Sequence, residues 1–274
     1  MRVALSHFVI ENGPLLRAMR RIPGFHLCAK KVGAYLLPAG HREWFQVRDG
    51  VGEGIWLKLN PRSGDSYYRG SAETGIQAIL RDYLKPGMVF YDLGSNIGFF
   101  SLLAARIVGP AGKVIAFEAE PRLESELAEN RKKNGADNVR IIQSAVWSHS
   151  GFVDFDSADK CISPDLGIGK VVSNPTTTTI SVPSICLDDF VRTERPPDFI
   201  KCDVEGAEVE VFRGARKVLT EYRPFVECEI HSDENGELLR SALRHMKYDV
   251  RWYSARHLLA VPSNRLSGTK EETN

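Results

Sequence analysis

Apolar and polar positions change rhythm near residue 88. From there, short runs rich in β-branched and aromatic residues alternate with stretches of helical periodicity. This alternation predicts βαβ units and a mostly parallel sheet. Seven runs read as strands: 88–94 (MVFYDLG), 113–119 (KVIAFEA), 139–145 (VRIIQSA), 198–204 (DFIKCDV), 224–230 (PFVECEI), 248–254 (YDVRWYS) and 257–262 (HLLAVP). Helical patterns fall on 97–107, 121–134, 207–219 and 236–246. In the second, Pro121 suits a first turn, Leu123 and Leu127 share a face, and Asn134-Gly135 suits a left-handed stop. In the third, Val209, Phe212 and Leu219 lie near one stripe, and Gly214 weakens the helix by about 1 kcal/mol relative to Ala. Too few residues separate the last two strands for a right-handed crossover, so they must pair antiparallel. The predicted fold is α/β and Rossmann-like, a seven-stranded mostly parallel sheet ending in an antiparallel hairpin.

This organisation divides the chain. Residues 86–263 form the sheet-bearing domain, and 1–85 read as a smaller α/β lead-in on the substrate side. Residues 146–197, with SNPTTTTISVPS and many turn formers, read as a loop and β-hairpin insertion, and 264–274 as a polar tail.

Composition narrows the classes. The 274 residues are 43% hydrophobic and 26% charged, a soluble globular balance. Lys and Arg total 36 against 35 Asp and Glu, and a net charge of +1 gives no general attraction to nucleic acid or anionic membrane. The basic run RKKNGADNVR reads as a solvated helix end. No apolar run approaches the roughly 18 residues of a membrane span, and the first residues lack a small-residue cleavage pattern. Five cysteines, Cys28, Cys161, Cys186, Cys202 and Cys228, are scattered and never in C-x-x-C spacing. Neither a disulfide framework nor a zinc site is expected, and the compartment expected is reducing and cytoplasmic.

The candidate site begins at the end of the first strand, in VFYDLGSNIGFFS, residues 89–101. Asn96 between Gly94 and Gly98 departs from the G-x-G-x-x-G of dinucleotide enzymes. In an open parallel sheet, ligands sit beyond the carboxyl ends of the strands, where this loop belongs. The glycines allow close backbone approach, and Asp92 is placed to meet an amine or ammonium. Glu118 ends the second strand, where an acid is expected to accept hydrogen bonds from ribose hydroxyls. Acid at both places suits a nucleoside carrying an amino acid better than a pyrophosphate. S-adenosylmethionine is such a molecule.

VFYDLGSNIGFFSLLAA, VIAFEAEP and DFIKCDVEGAEVEVFRGA resemble the FkbM-type family of S-adenosylmethionine-dependent O-methyltransferases, over about residues 66–245. The resemblance implies a class I methyltransferase fold. Ser95 stands where the family commonly has alanine, Cys202 where isoleucine or methionine is frequent, and Gly70 and Glu73 match a G-x-x-E segment. Carried over by position, Asp92, Gly94, Ser95, Asn96 and Gly98 would line the methionine half of the cofactor. Glu118, with Ala119 beside it, would bind the ribose. Gln143, Ser144 and Ala145 would border the adenine, and Glu73 and Asp203 would complete the cofactor set.

Alcohol hydroxyls are weak nucleophiles, so methyl transfer to one needs a group that removes the proton as the new bond forms. The fourth strand ends at Asp203, followed by Glu205 and Glu208, and the fifth ends in ECEIH, with Glu229 and His231. Asp203 is the first candidate for the acid near the transferred methyl, and His231 the alternative base. Glu205 would shape the pocket, and Glu208 would bond amides at a helix start. A divalent metal on Asp203, Glu229 and His231 is compatible with these residue types but not required, and no metal ligands are assigned. The expected acceptor is a hydroxyl of a small molecule or glycan, in a pocket formed by the insertion and by Tyr67, Tyr68 and Arg69. Two alternatives stand: an NAD-dependent oxidoreductase on a similar sheet, and a non-catalytic module that binds S-adenosylmethionine.

Overall fold

The computed structural model describes residues 2–13, 18, 37–38, 40–157, 169–172 and 179–264. The sheet-bearing part contains β3 (Val89–Leu93), α4 (Phe99–Val108), β4 (Lys113–Glu118), α5 (Glu124–Lys133) and β5 (Val139–Gln143). After an insertion follow β10 (Phe199–Cys202), α7 (Glu208–Arg213), β11 (Phe225–Glu229), α8 (Asp233–His245), β12 (Tyr248–Trp252) and β13 (His257–Pro262). The seven strands form one sheet in the order β12-β13-β11-β10-β3-β4-β5. Strands β11, β10, β3, β4 and β5 run parallel, whereas β13 is antiparallel to both neighbours. The seven predicted strands and the closing hairpin are all present, in a mostly parallel sheet. The chain returns past its starting strand between β5 and β10, so the crevice opens beyond the tips of β3, β4 and β10.

Before the sheet lie α1 (Arg2–Glu11), the antiparallel pair β1 (Glu43–Gln46) and β2 (Trp56–Leu59), α2 (Asp65–Tyr68) and α3 (Thr74–Tyr83). Ile10, Phe45, Leu57 and Ile76 share a buried cluster with Phe90, Leu103 and Phe199, so these elements cover one face of the sheet. The insertion carries β6 (Ala145–Val146), β7 (Gly151–Asp156), β8 (Lys170–Val171) and β9 (Thr179–Ile185), a small sheet in the order β6-β9-β7-β8, then α6 (Leu187–Phe190). The predicted hairpin is the β7–β9 pair, joined by two further short strands. Residues 265–274 of the expected tail lie outside the described residues, as do Cys28 and Cys161. Cys186, Cys202 and Cys228 are buried free thiols, and Cys202 packs as a small hydrophobe in the core.

Two helices depart from their expected bounds. The second opens as a 3-10 turn, Pro121–Leu123, continues as α5, and stops at Asn134 and at Gly135 with φ 59°. The third ends at Arg213, and the chain resumes as a π-helix, Val218–Tyr222. Gly214 is the cause: a Cβ there would lie 2.3 Å from the Trp147 carbonyl oxygen, so the helix end abuts the backbone of the insertion.

Strand period sets what the crevice receives. On one face, Phe90, Phe199 and Phe225 stand in register across β3, β10 and β11. Two residues on, Asp92, Lys201 and Glu227 occupy the same face. An aromatic row is thus followed by a buried charged row at the strand tips.

Candidate active site

The loop after β3 owes its composition to its backbone. Gly94, Asn96 and Gly98 have φ of 79°, 51° and 87°, three left-handed positions in five residues. Glycine accepts this freely and asparagine at modest cost, which explains Asn96 where a dinucleotide fingerprint would differ. The close approaches are to the protein itself: a Cβ on Gly94 would meet the Asp203 carbonyl oxygen at 1.8 Å, and one on Gly98 would meet Leu127 Cδ1 at 2.3 Å. Gly94 therefore welds the tip of β3 to the tip of β10.

Glu118 is buried, and its two oxygens accept the backbone N–H groups of Asn96 at 2.7 Å and Glu120 at 2.8 Å. Burial lifts its carboxyl to about 7, and the two N–H donors offset part of that rise. Around it lies a cavity of about 80 Å³ that touches Gly94, Asn96, Glu118, Ala119, Ser144, Ala145 and Asp203. Seven of the expected cofactor residues are thereby gathered in one place. Ser95 Oγ and Gln143 Oε1 are buried beside these residues with no hydrogen-bond partner among the described residues. The Glu118 carboxylate, the unpartnered polar atoms and the apolar wall suit the nucleoside of an adenosine-bearing cofactor, of which a cavity of about 80 Å³ holds only a part. The cavity also touches Phe155, Gly169 and Val171, so the insertion forms part of its wall. No periodic signal singled those three out, because they belong to a turn-rich segment.

Asp92 is fully buried and does not line that cavity. Its Oδ2 accepts the Ser101 hydroxyl at 2.6 Å, while Oδ1 lies 3.7 Å from Lys201 Nζ. The ammonium that Asp92 meets is thus one supplied by the chain. Burial pushes the Asp92 carboxyl up, against the pull of Lys201. Lys201, which the sequence reading passed over, also sits 3.6 Å from Asp203 Oδ2. Desolvation disfavours its charge, but Asp203, Asp92 and Glu227 outweigh that and hold it protonated.

The catalytic candidates converge on His231. Its Nδ1 lies 2.6 Å from Oε1 of the fully buried Glu208, whose other oxygen accepts Asn235 Nδ2 at 2.7 Å. A carboxylate only accepts, so Nδ1 carries the hydrogen and Nε2 faces the crevice. Nε2 is 3.4 Å from Glu205, 3.8 Å from Asp203 and 3.9 Å from Glu229. The Glu208 hydrogen bond is the chief reason that the imidazole pKa is raised. Glu208 accepts the Gly206 N–H at 2.9 Å, as expected of an acid at a helix start, but its main partner is the histidine.

A second imidazole repeats the pattern. His257 Nδ1 lies 3.0 Å from Oε1 of the buried Glu227, which also accepts the Tyr253 hydroxyl at 2.7 Å. Its Nε2 faces Glu229 at 4.0 Å. Glu73 joins this group, away from the Glu118 cavity; it is exposed at the surface, yet the protein packed around it raises its carboxyl to about 7 through desolvation. Among the described residues, two sets could hold a cation, Asp203 with Glu205 and His231, and Glu73 with Glu229 and His257, the ligand atoms of each set within 4.8 Å of one another. Of the residues expected to face the acceptor, Tyr68 is buried and donates to Glu11 at 3.1 Å, Tyr67 packs edge-on against Phe99, and Arg69 bonds the Glu11 carbonyl.

Sequence comparison finds related methyltransferases. The chain is 28% identical over 204 residues to the hexuronic acid methyltransferase AglP of Haloferax volcanii, covering 70% of this chain and 80% of that protein. It is 27% identical over 176 residues to the 2-O-methyltransferase NoeI of Sinorhizobium fredii, covering 58% and 71%. Among solved structures, the FkbM methyltransferase of Methylobacillus flagellatus aligns with 86% of this chain and 60% of its own, at 14% identity and a TM-score of 0.48. Residues 92–250 match the methyltransferase FkbM domain, which sets hydride transfer aside. Spanning more than half of the chain and every candidate strand tip from Asp92 to His231, that match places the protein in the FkbM family of S-adenosylmethionine-dependent methyltransferases.

Proposed function

We propose that the protein methylates a hydroxyl of a glycan or related small molecule, with His231 as the base. The observation that carries this reading is the Glu208–His231 pair: a buried carboxylate fixes Nδ1–H and leaves Nε2 directed at the strand tips that also border the Glu118 cavity. AglP, named for hexuronic acid, supports a sugar acceptor, and NoeI, named a 2-O-methyltransferase, supports transfer to oxygen. The balanced charge supports an acceptor other than nucleic acid.

Glu118, Asn96, Ser144 and Ala145 would hold the nucleoside, and Gly94, Ser95 and Asp203 its amino-acid end. When bound, S-adenosylmethionine supplies a methyl group on a positively charged sulfur. The chain's own residues do the rest. His231 Nε2 takes the acceptor proton as the oxygen–methyl bond forms, Glu208 stabilises the resulting imidazolium, and Asp203 and Glu205 fix the imidazole and the hydroxyl in line. The acidic surroundings favour both the cationic sulfur and the imidazolium. No metal enters this scheme.

The test is release of S-adenosylhomocysteine by the purified protein with a panel of hydroxylated glycosides. His231→Ala is expected to lower kcat by about 10²- to 10⁴-fold with cofactor affinity retained. Tight cofactor binding without turnover on any acceptor would overturn the reading in favour of a binding module.

A further inference from the structure

Beyond the cofactor pocket, a cavity of about 520 Å³ is bounded by the tip of β11, the first turns of α8 and the β12–β13 turn. Ile230, His231, Asp233, Glu237, Trp252 and Arg256 line it. His231 connects it to the chemistry, since Asp203, 3.8 Å from His231 Nε2, borders the Glu118 cavity. One residue thus belongs to this chamber and touches the wall of the other.

Trp252 is 39% exposed, unusual for the largest apolar side chain. It is the last residue of β12, held in register opposite Leu258. Its ring leans on α8: a Cβ on Gly236 would lie 3.1 Å from Trp252 Cη2 and 3.2 Å from Ile230. Glycine at 236 thus leaves room for the Cη2–Cζ2 edge of the indole beside α8, and the ring also borders the cavity. The next residue, Tyr253, is committed elsewhere, its hydroxyl bonded to Glu227. A rigid aromatic face beside carboxylates and a guanidinium matches a pyranose, which offers an apolar C–H face and a ring of hydroxyls.

Charge narrows the class. The cavity's cations already face acids: Arg256 lies 3.7 Å from Glu229, and His231 is bonded to Glu208. Asp233 adds negative charge, Glu237 being paired with Arg240 at 2.6 Å, and Asp203, Glu205 and Glu229 continue it toward the crevice. A uronate carboxylate would meet more acid than base here, whereas neutral hydroxyls find acceptors.

We propose that this cavity is the acceptor subsite and that it takes a neutral pyranosyl ring stacked on Trp252, with one hydroxyl presented to His231. The inference rests on the glycan reading above and specifies it.

The test uses the full chain with S-adenosylhomocysteine added. Methyl β-D-glucopyranoside and methyl α-L-fucopyranoside serve as neutral probes, and methyl β-D-glucopyranosiduronate as the anionic one. Saturation-transfer NMR is expected to show the neutral rings bound through their C–H protons, and the uronide bound at least about tenfold more weakly. Trp252→Ala should weaken the neutral probes by about five- to tenfold, and Trp252→Phe by less, while calorimetry shows unchanged S-adenosylhomocysteine affinity in both. Equal binding of the neutral probes to wild type and both variants overturns the inference, as does a uronide that binds as tightly as they do. If Trp252→Ala does not fold, a Trp252→Phe protein with unchanged affinity for the neutral probes overturns it alone. Failure of the wild type to methylate any glycoside would sink the glycan reading as well. Methylation with a KM insensitive to Trp252 would sink this inference only.

Discussion

At the scale of single residues, the imidazole of His231 decides how the enzyme should respond to pH. Its pKa is raised, chiefly by the hydrogen bond it donates to Glu208, and a base must be unprotonated to act. The rate should therefore fall as pH drops through a value above the usual 6.5 of histidine. Glu208→Gln removes the main raising influence, so the acid limb of the kcat profile should move to lower pH; a limb that stays in place would detach Glu208 from the base. Linkage has the same sign. A raised folded-state pKa contributes stability that is complete below the unfolded value and is lost as pH climbs through the folded one. Chemical denaturation of wild type and Glu208→Gln across pH 5–8 would show the wild type losing its advantage toward the alkaline end.

At the scale of elements, the end of α7 shows why a sequence pattern misplaced a boundary. The stripe Val209, Phe212, Leu219 suggested one continuous helix across Gly214, a residue counted only for its lower helix propensity. That weakness, about 1 kcal/mol, is a local quantity. The deciding contact is not local: position 214 lies against Trp147 and Ser148, some sixty-five residues earlier, and periodicity holds no information about it. The strand tips were legible for the opposite reason. The ends of the predicted strands fix which edge of the sheet a residue reaches, so Asp92, Glu118, Asp203 and His231 could be placed at one edge from their positions alone. Gly214→Ala separates the two influences. Propensity alone predicts a gain of about 1 kcal/mol, whereas a Cβ 2.3 Å from the Trp147 carbonyl oxygen predicts a net loss of about 1–3 kcal/mol. Urea unfolding reads the sign directly, and a stabilised Gly214→Ala protein would mean that the insertion yields easily.

At the scale of the whole molecule, the sheet works as a frame that holds charge where an apolar core would be cheaper. Lys201 is 2% exposed in the middle of the apolar run FIKC, between Asp92 and Glu227 on adjacent strands. It was readable in principle: a strand buried on both faces does not carry a lysine unless acids on its neighbours meet it. The missing information was register, which places those acids opposite it. The row joins the Asp203 side of the crevice to the His257 side, since Lys201 reaches Asp92 and Asp203 while Glu227 steadies His257 and Tyr253. Removing the cation alone leaves buried carboxylates without a partner, so Lys201→Met should cost about 3–5 kcal/mol of stability. Asp92→Asn combined with Lys201→Met should recover part of that loss, because the second change removes one of the stranded charges. A double-mutant cycle read by guanidinium unfolding measures the coupling. If the two losses simply add, Asp92 and Lys201 are neighbours without being partners, and the charged row does not act as a unit.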